Sequence, residues 1–121
     1  MHIETSTTGN QEQAMQYCLI FCSCPDETTA DQIAKSLLEQ QQAACVHITP
    51  LGRSLYIWNN KLEQTQECQL VIKTHHTHFD AVRALIKTQH PYECPEILEI
   101  PIQAGDDKYM QWLQDTLGIH R

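Results

Sequence analysis

Residues 17–24, Tyr17-Cys18-Leu19-Ile20-Phe21-Cys22-Ser23-Cys24, are apolar almost without interruption and stop at Pro25. So short and apolar a run reads as a strand covered on both faces. Side chains alternate along a strand, so Cys18, Ile20, Cys22 and Cys24 share one face, and Tyr17, Leu19 and Phe21 the other. Next, Pro25-Asp26-Glu27 sets acidic residues at the positive end of a helix dipole. The helix itself carries Ala30, Ile33, Ala34, Leu37 and Leu38 at helical spacing. Ala43–Thr49 is a second strand, bent at Pro50-Leu51-Gly52 and resumed over Ser54–Trp58. Asn59-Asn60 tolerates the positive φ of a two-residue hairpin turn, and a return strand runs from about Lys61 to Thr74.

Thr77 with Asp80 three residues on resembles a capping box opening a second helix, whose stripe is Phe79, Val82, Leu85 and Ile86. Pro91 stops that helix just past His90. Glu96–Ile100 is a fourth strand, ended by Pro101. Asp106 caps a last helix with Tyr109, Trp112, Leu113 and Leu117 as its buried stripe, stopped by Gly118. The order is β-α-β-β-α-β-α. It predicts an α+β domain: a ferredoxin-like βαββαβ antiparallel sheet with two helices on one face and an extra C-terminal helix. The domain spans residues 16–121. Residues 1–15 have neither a basic start nor an apolar stretch, so they read as a flexible polar tail rather than a signal peptide.

The whole chain narrows the function. Its 121 residues suffice for one hydrophobic core. The net charge of -7 and the absence of any basic run argue against a nucleic-acid partner. No apolar run approaches the roughly 20 residues that cross a bilayer, so no membrane partner is expected. Four of the six cysteines sit in apolar strand-like runs and read as reduced core thiols, which points to the cytoplasm.

Two helices cover one face of such a sheet, and the other face should alternate to polar if it meets water. It does not, in the first strand or in the hairpin arm Leu55-Tyr56-Ile57-Trp58. An apolar arm of this kind marks an interface, and cyclic self-association would cover it. The alternative is that the last helix folds over the open face, which would still leave the arm uncovered.

The split topology brings the end of the first strand to the end of the second helix. Cys22 and Cys24 therefore meet His90, with Glu93 and Cys94 in the next turn. Thiolate with imidazole suits Cu(I) or Zn(II), and imidazole with carboxylate suits Cu(II) or Zn(II). The competing reading is core packing for the cysteines and a helix-end role for His90. Cys22 with His90 is the leading pair. His75, His76 and His78 form a second cluster at the opposite end, read as solvated. Glu63 and Glu67 share a strand face, either solvated or lending carboxylate to a cleft. Tyr56, Trp58, Tyr92 and Trp112 read as interface and core aromatics.

Several segments stand together in order: Cys24-Pro25-Asp26-Glu27-x-x-Ala30, Ala43-Ala44-Cys45-Val46, Ser54-Leu55-Tyr56-x-Trp58, Lys61-Leu62-Glu63, Ile72-Lys73-Thr74 and His90-Pro91-Tyr92-Glu93-Cys94-Pro95-Glu96. With Gly105-Asp106 and Tyr109-x-x-Trp112-Leu113 they make the chain resemble the CutA divalent-cation-tolerance family over about residues 17–117. The resemblance implies a PII-like homotrimer, a link to tolerance of copper and other divalent cations, no catalytic activity and no organic cofactor. Asn60 replaces a Gly usual in that family, and His47 replaces an Asn. Some bacterial members carry His-His-Pro-Tyr and are credited with binding copper through both histidines and a cysteine of the first strand. Here the sequence is Gln89-His90-Pro91-Tyr92. The implied metal residues are Cys22 and His90, with Cys24, Glu67, Gln89 and Glu93 as weaker candidates.

Three other classes stay open at this level. A PII-like signalling or interaction scaffold would use intersubunit clefts for a small ligand or protein, though no Gly-rich phosphate cradle is present. A copper chaperone would need Cys-x-x-Cys on a loop, where this chain has Cys-x-Cys on a strand. An enzyme would need Cys22 exposed and paired with His90 as its base.

Overall fold

The structure, a computed structural model, describes residues 14 and 16–119. Apart from Ala14, which is buried, the tail expected over residues 1–15 lies outside the described residues. The elements are β1 (Tyr17–Cys24), α1 (Glu27–Glu39), β2 (Cys45–Trp58), β3 (Lys61–His75), a 3-10 turn (His76–His78), α2 (Phe79–Gln89), β4 (Leu98–Pro101) and α3 (Asp107–Leu117). The strands form one sheet in the order β2-β3-β1-β4, with every neighbouring pair antiparallel. This is the α+β architecture expected from the sequence.

The alternation along β1 decides what lies on each side. Cys18, Ile20, Cys22 and Cys24 join Leu70 and Ile72 of β3 under Ile33 and Leu37 of α1 and Val82 and Ile86 of α2. Each fully buried aliphatic side chain there contributes about 1.5–3 kcal/mol. On the opposite face a smaller cluster seats Tyr17 and Ala44 against Leu113 and Leu117 of α3. The last helix thus folds over one corner of the open face. It leaves Leu98 and Ile100 of β4 and the hairpin arm exposed.

Local chemistry sets the element ends. The Asp26 side chain accepts from the Thr29 N–H at 2.7 Å, and Asp106 accepts from those of Lys108 and Tyr109. α1 ends without a glycine: Gln41 takes a left-handed φ of 58°, and its amide donates to the Thr116 carbonyl, tying α1 to the end of α3. The hairpin turn is Asn59-Asn60, with φ of 52° and 65°.

Three expectations are corrected. Thr77 and Asp80 form no capping box, because the Thr77 N–H is taken by His75 Nδ1 and its hydroxyl lies 2.9 Å from that same atom. α2 therefore starts after a 3-10 turn, with no side-chain cap at His78. β4 runs Leu98–Pro101 rather than Glu96–Ile100, since Ile97 packs on the core and Glu96 meets the Ser23 hydroxyl. Pro101 is tolerated because β4 is an edge strand. Tyr109 and Trp112 are not buried: both are over 40% exposed, and Tyr109 reaches instead to Lys73, whose Nζ lies 3.1 Å from the phenol oxygen.

Between Thr49 and Gly52 the β2–β3 register shifts. Leu51 bulges there at φ 59°, three-quarters exposed, while Gly52 lies so close to the Glu67 carbonyl that an added Cβ would sit at 3.1 Å. Left-handed backbone costs a non-glycine residue about 1–2 kcal/mol. Glycine's extra entropy loss on folding is about 0.5–1 kcal/mol. Leu51→Gly is therefore expected to stabilise the protein by roughly 0.5 kcal/mol, the difference of those terms. Urea denaturation at fixed protein concentration checks this; a loss of stability would mean that the Leu51 side chain is covered by another chain.

Candidate metal centre at the end of the first strand

β1 ends where α2 ends. Cys22 and Cys24, two apart on the strand, point to the helix-covered face, and His90 follows the last turn of α2. Ligand atoms of Cys22, Cys24 and His90 all lie within 4.8 Å of one another, and all three residues are buried. Both cysteines are fully buried, and His90 is 7% exposed.

His90 is fixed by backbone on both sides. Its Nε2–H donates to the Ser23 carbonyl at 2.7 Å, and its Nδ1 accepts from the Tyr92 N–H at 3.1 Å. Those bonds set a neutral tautomer with the proton on Nε2. Ser23 escaped the sequence-based reading; its position between the two cysteines, at the strand end that meets the end of α2, was the signal. The donor chemistry of two sulfurs and an imidazole fits a thiophilic transition ion.

Of the weaker candidates, only Cys24 joins this cluster. Gln89 turns to α1, its amide donating to the Ser36 hydroxyl at 3.1 Å. Glu67 alternates with Cys68 along β3, so it lies on the sheet face opposite the cysteines, and Glu93 is exposed. Both line an open cleft of about 1000 Å³ with Glu63, Glu96, Tyr56, Trp58 and Tyr92. Burial, and then the nearby Glu67 charge, push the Tyr92 phenol above its ordinary value. Leu55, Tyr56, Ile57 and Trp58 of the arm are 58%, 40%, 67% and 59% exposed. The histidines at the other end do not converge: His75 packs edge-on to Tyr17, His76 pairs with Glu99 at 2.6 Å, and burial lowers the pKa of His78.

Residues 18–116 match the family described as CutA1 divalent ion tolerance protein. A relative named divalent-cation tolerance protein CutA, from Pectobacterium atrosepticum, is 46% identical over 99 residues, which are 82% of this chain and 90% of the relative. One of the same name from Escherichia coli is 40% identical over 99 residues, 82% of this chain and 88% of the relative. The structure superposes on the crystal structure of CutA1 from the psychrotrophic bacterium Shewanella sp. SIB1 with a TM-score of 0.81 and 40% identity, covering 84% of this chain and 94% of that one.

The thiols differ in what burial does to them. It pushes Cys18 up to about 12, with Glu99 adding to the effect. Hydrogen bonding to Cys24 and burial raise the Cys22 thiol, and the same contact lowers that of Cys24. Cys94 is exposed and Cys45 partly so. A chromogenic thiol reagent at pH 8 is expected to modify Cys94 first and to reach Cys18, Cys22 and Cys24 only as the fold opens. A fast, pH-dependent phase that survives Cys94→Ser and vanishes in Cys22→Ser would instead make Cys22 an exposed nucleophile.

Proposed function

Because the chain belongs to the CutA1 divalent ion tolerance family, we propose that it serves tolerance of divalent cations as a non-enzymatic homotrimer that binds copper through Cys22 and His90. The convergence of ligand atoms from Cys22, Cys24 and His90 within 4.8 Å of one another carries the metal assignment. The trimer rests on the arm: Leu55, Ile57, Trp58 and Leu62 are more than half exposed and have no cover within the described chain. The cytoplasm suits a site built on free thiols, and all six cysteines are unpaired. No helix among the described residues is long and apolar enough to cross a membrane.

The cleft supports a second reading, a signalling or interaction scaffold of the PII kind. Tyr56, Trp58 and Tyr92 offer ring faces there, beside the carboxylates of Glu63, Glu67, Glu93 and Glu96. A small ligand or a protein partner would sit against both.

Calorimetric titration of the tag-free protein with copper, with mass read by light scattering on the same preparation, tests the first reading. The expected result is a trimer whose tight copper uptake is lost in Cys22→Ser and strongly weakened in His90→Ala. A trimer with weak binding that neither substitution changes would remove the site and leave the cleft as the functional surface.

A further inference from the structure

The donors of the cluster are not equally available. His90 has both ring nitrogens engaged, at 2.7 Å and 3.1 Å, and must surrender at least the bond to the Ser23 carbonyl before Nε2 can face an ion. Each such bond is worth about 1 kcal/mol net. The sulfurs give up far less: Cys22 Sγ has a long 3.9 Å contact to the Ser23 carbonyl, and otherwise the two thiols face each other. An ion entering here meets sulfur before nitrogen.

The cluster also stops at three. No fourth His, Cys, Asp or Glu among the described residues joins it, and Glu67 and Glu96 line the cleft on the other side of the sheet. Full burial of both cysteines leaves little access for water to complete a coordination shell. Zinc wants four donors in a tetrahedron. Cu(II) prefers a tetragonal set of nitrogen and oxygen. A soft monovalent ion is satisfied by two or three soft donors and needs no water.

Building on the assignment of this cluster as the copper site, we infer that it selects monovalent copper, with Cys24 a ligand equal to Cys22 and His90 the third, weaker donor. Binding Cu(I) displaces protons from the two thiols and leaves its oxidation state unchanged. Silver(I), of the same charge and softness, should compete for the site. Cys24 becomes the residue that sets ion selectivity, while Cys22 and His90 alone would form a mixed sulfur–nitrogen pair open to divalent ions.

Competition against a Cu(I)-specific chromophoric chelator, on the reduced full-length protein under anaerobic conditions, tests this. Parallel titrations use Zn(II) and Cu(II). The wild type is expected to hold Cu(I) most tightly. Cys24→Ser and Cys24→Ala should each weaken Cu(I) by more than the roughly 100-fold that losing a supporting contact costs a metal site, and His90→Gln by about tenfold. Copper K-edge absorption should show a sulfur-dominated shell around Cu(I). Should both Cys24 variants fail to fold, alkylation mapping of the wild type replaces them: bound Cu(I) must protect Cys22 and Cys24 together in mild denaturant. Cu(I) binding indifferent to Cys24, or protection of Cys22 alone, overturns the inference. Preferred uptake of Zn(II) or Cu(II) through Cys22 and His90 overturns it too, while sparing the copper-site assignment beneath it. Failure of every ion to bind overturns both.

Discussion

β1 must be covered on both faces, and the rest of the molecule is arranged to do it. Its even-numbered residues are sealed beneath α1 and α2, where Cys18, Ile20, Cys22 and Cys24 are essentially inaccessible. Its odd-numbered residues have no such lid along their length. α3 covers Tyr17, but Leu19 and Phe21 further along are only partly buried. A sheet face sealed at one corner and apolar beyond it remains a surface in need of cover. The same holds for the β2–β3 arm beyond the bulge, where paired strands extend with apolar side chains on both faces. The strand that builds the core thus also leaves the surface that the proposed self-association would cover.

Most of this was legible in the sequence, because two periods were clear. The alternation of residues 17–24 and the helical spacing of Ala30, Ile33, Ala34, Leu37 and Leu38 each predict one buried face, and the structure has both, except that Leu38 at the stripe's border is exposed. Asn59-Asn60 declared the hairpin through the φ values it tolerates. What was not legible depended on competition between neighbouring groups. Thr77 has the spacing of a cap, but His75 Nδ1 takes its N–H first. Tyr109 has the spacing of a buried stripe, but Lys73, on the open face of the sheet, offers its phenol a hydrogen bond. A sequence pattern states what a side chain can do; which partner wins is a matter of distances.

The site shows the same division. That Cys22, Cys24 and His90 share one end of the domain follows from topology alone. The grip of Ser23 and Tyr92 on the imidazole does not, because it runs through backbone groups that any residue would supply. Nor does the exclusion of Glu67, which lies one residue from a cysteine on β3 yet on the opposite face of the sheet. One residue of register decides which face of the sheet a side chain serves.

Ser23 brings the two candidate surfaces of the molecule into contact. Its carbonyl holds His90 beside the buried sulfurs, while its hydroxyl, on the other face of the sheet, meets Gln69 at 3.1 Å and Glu96 at 3.2 Å. Glu96 lines the open cleft. In the proposed site, an ion that takes His90 Nε2 displaces the bond to that carbonyl, and the hydroxyl of the same residue is the one that meets Glu96. A metal site and a ligand cleft on one strand end are therefore not rival readings in physical terms. One residue serves both, its carbonyl holding His90 on the buried side and its hydroxyl meeting Glu96 on the cleft side.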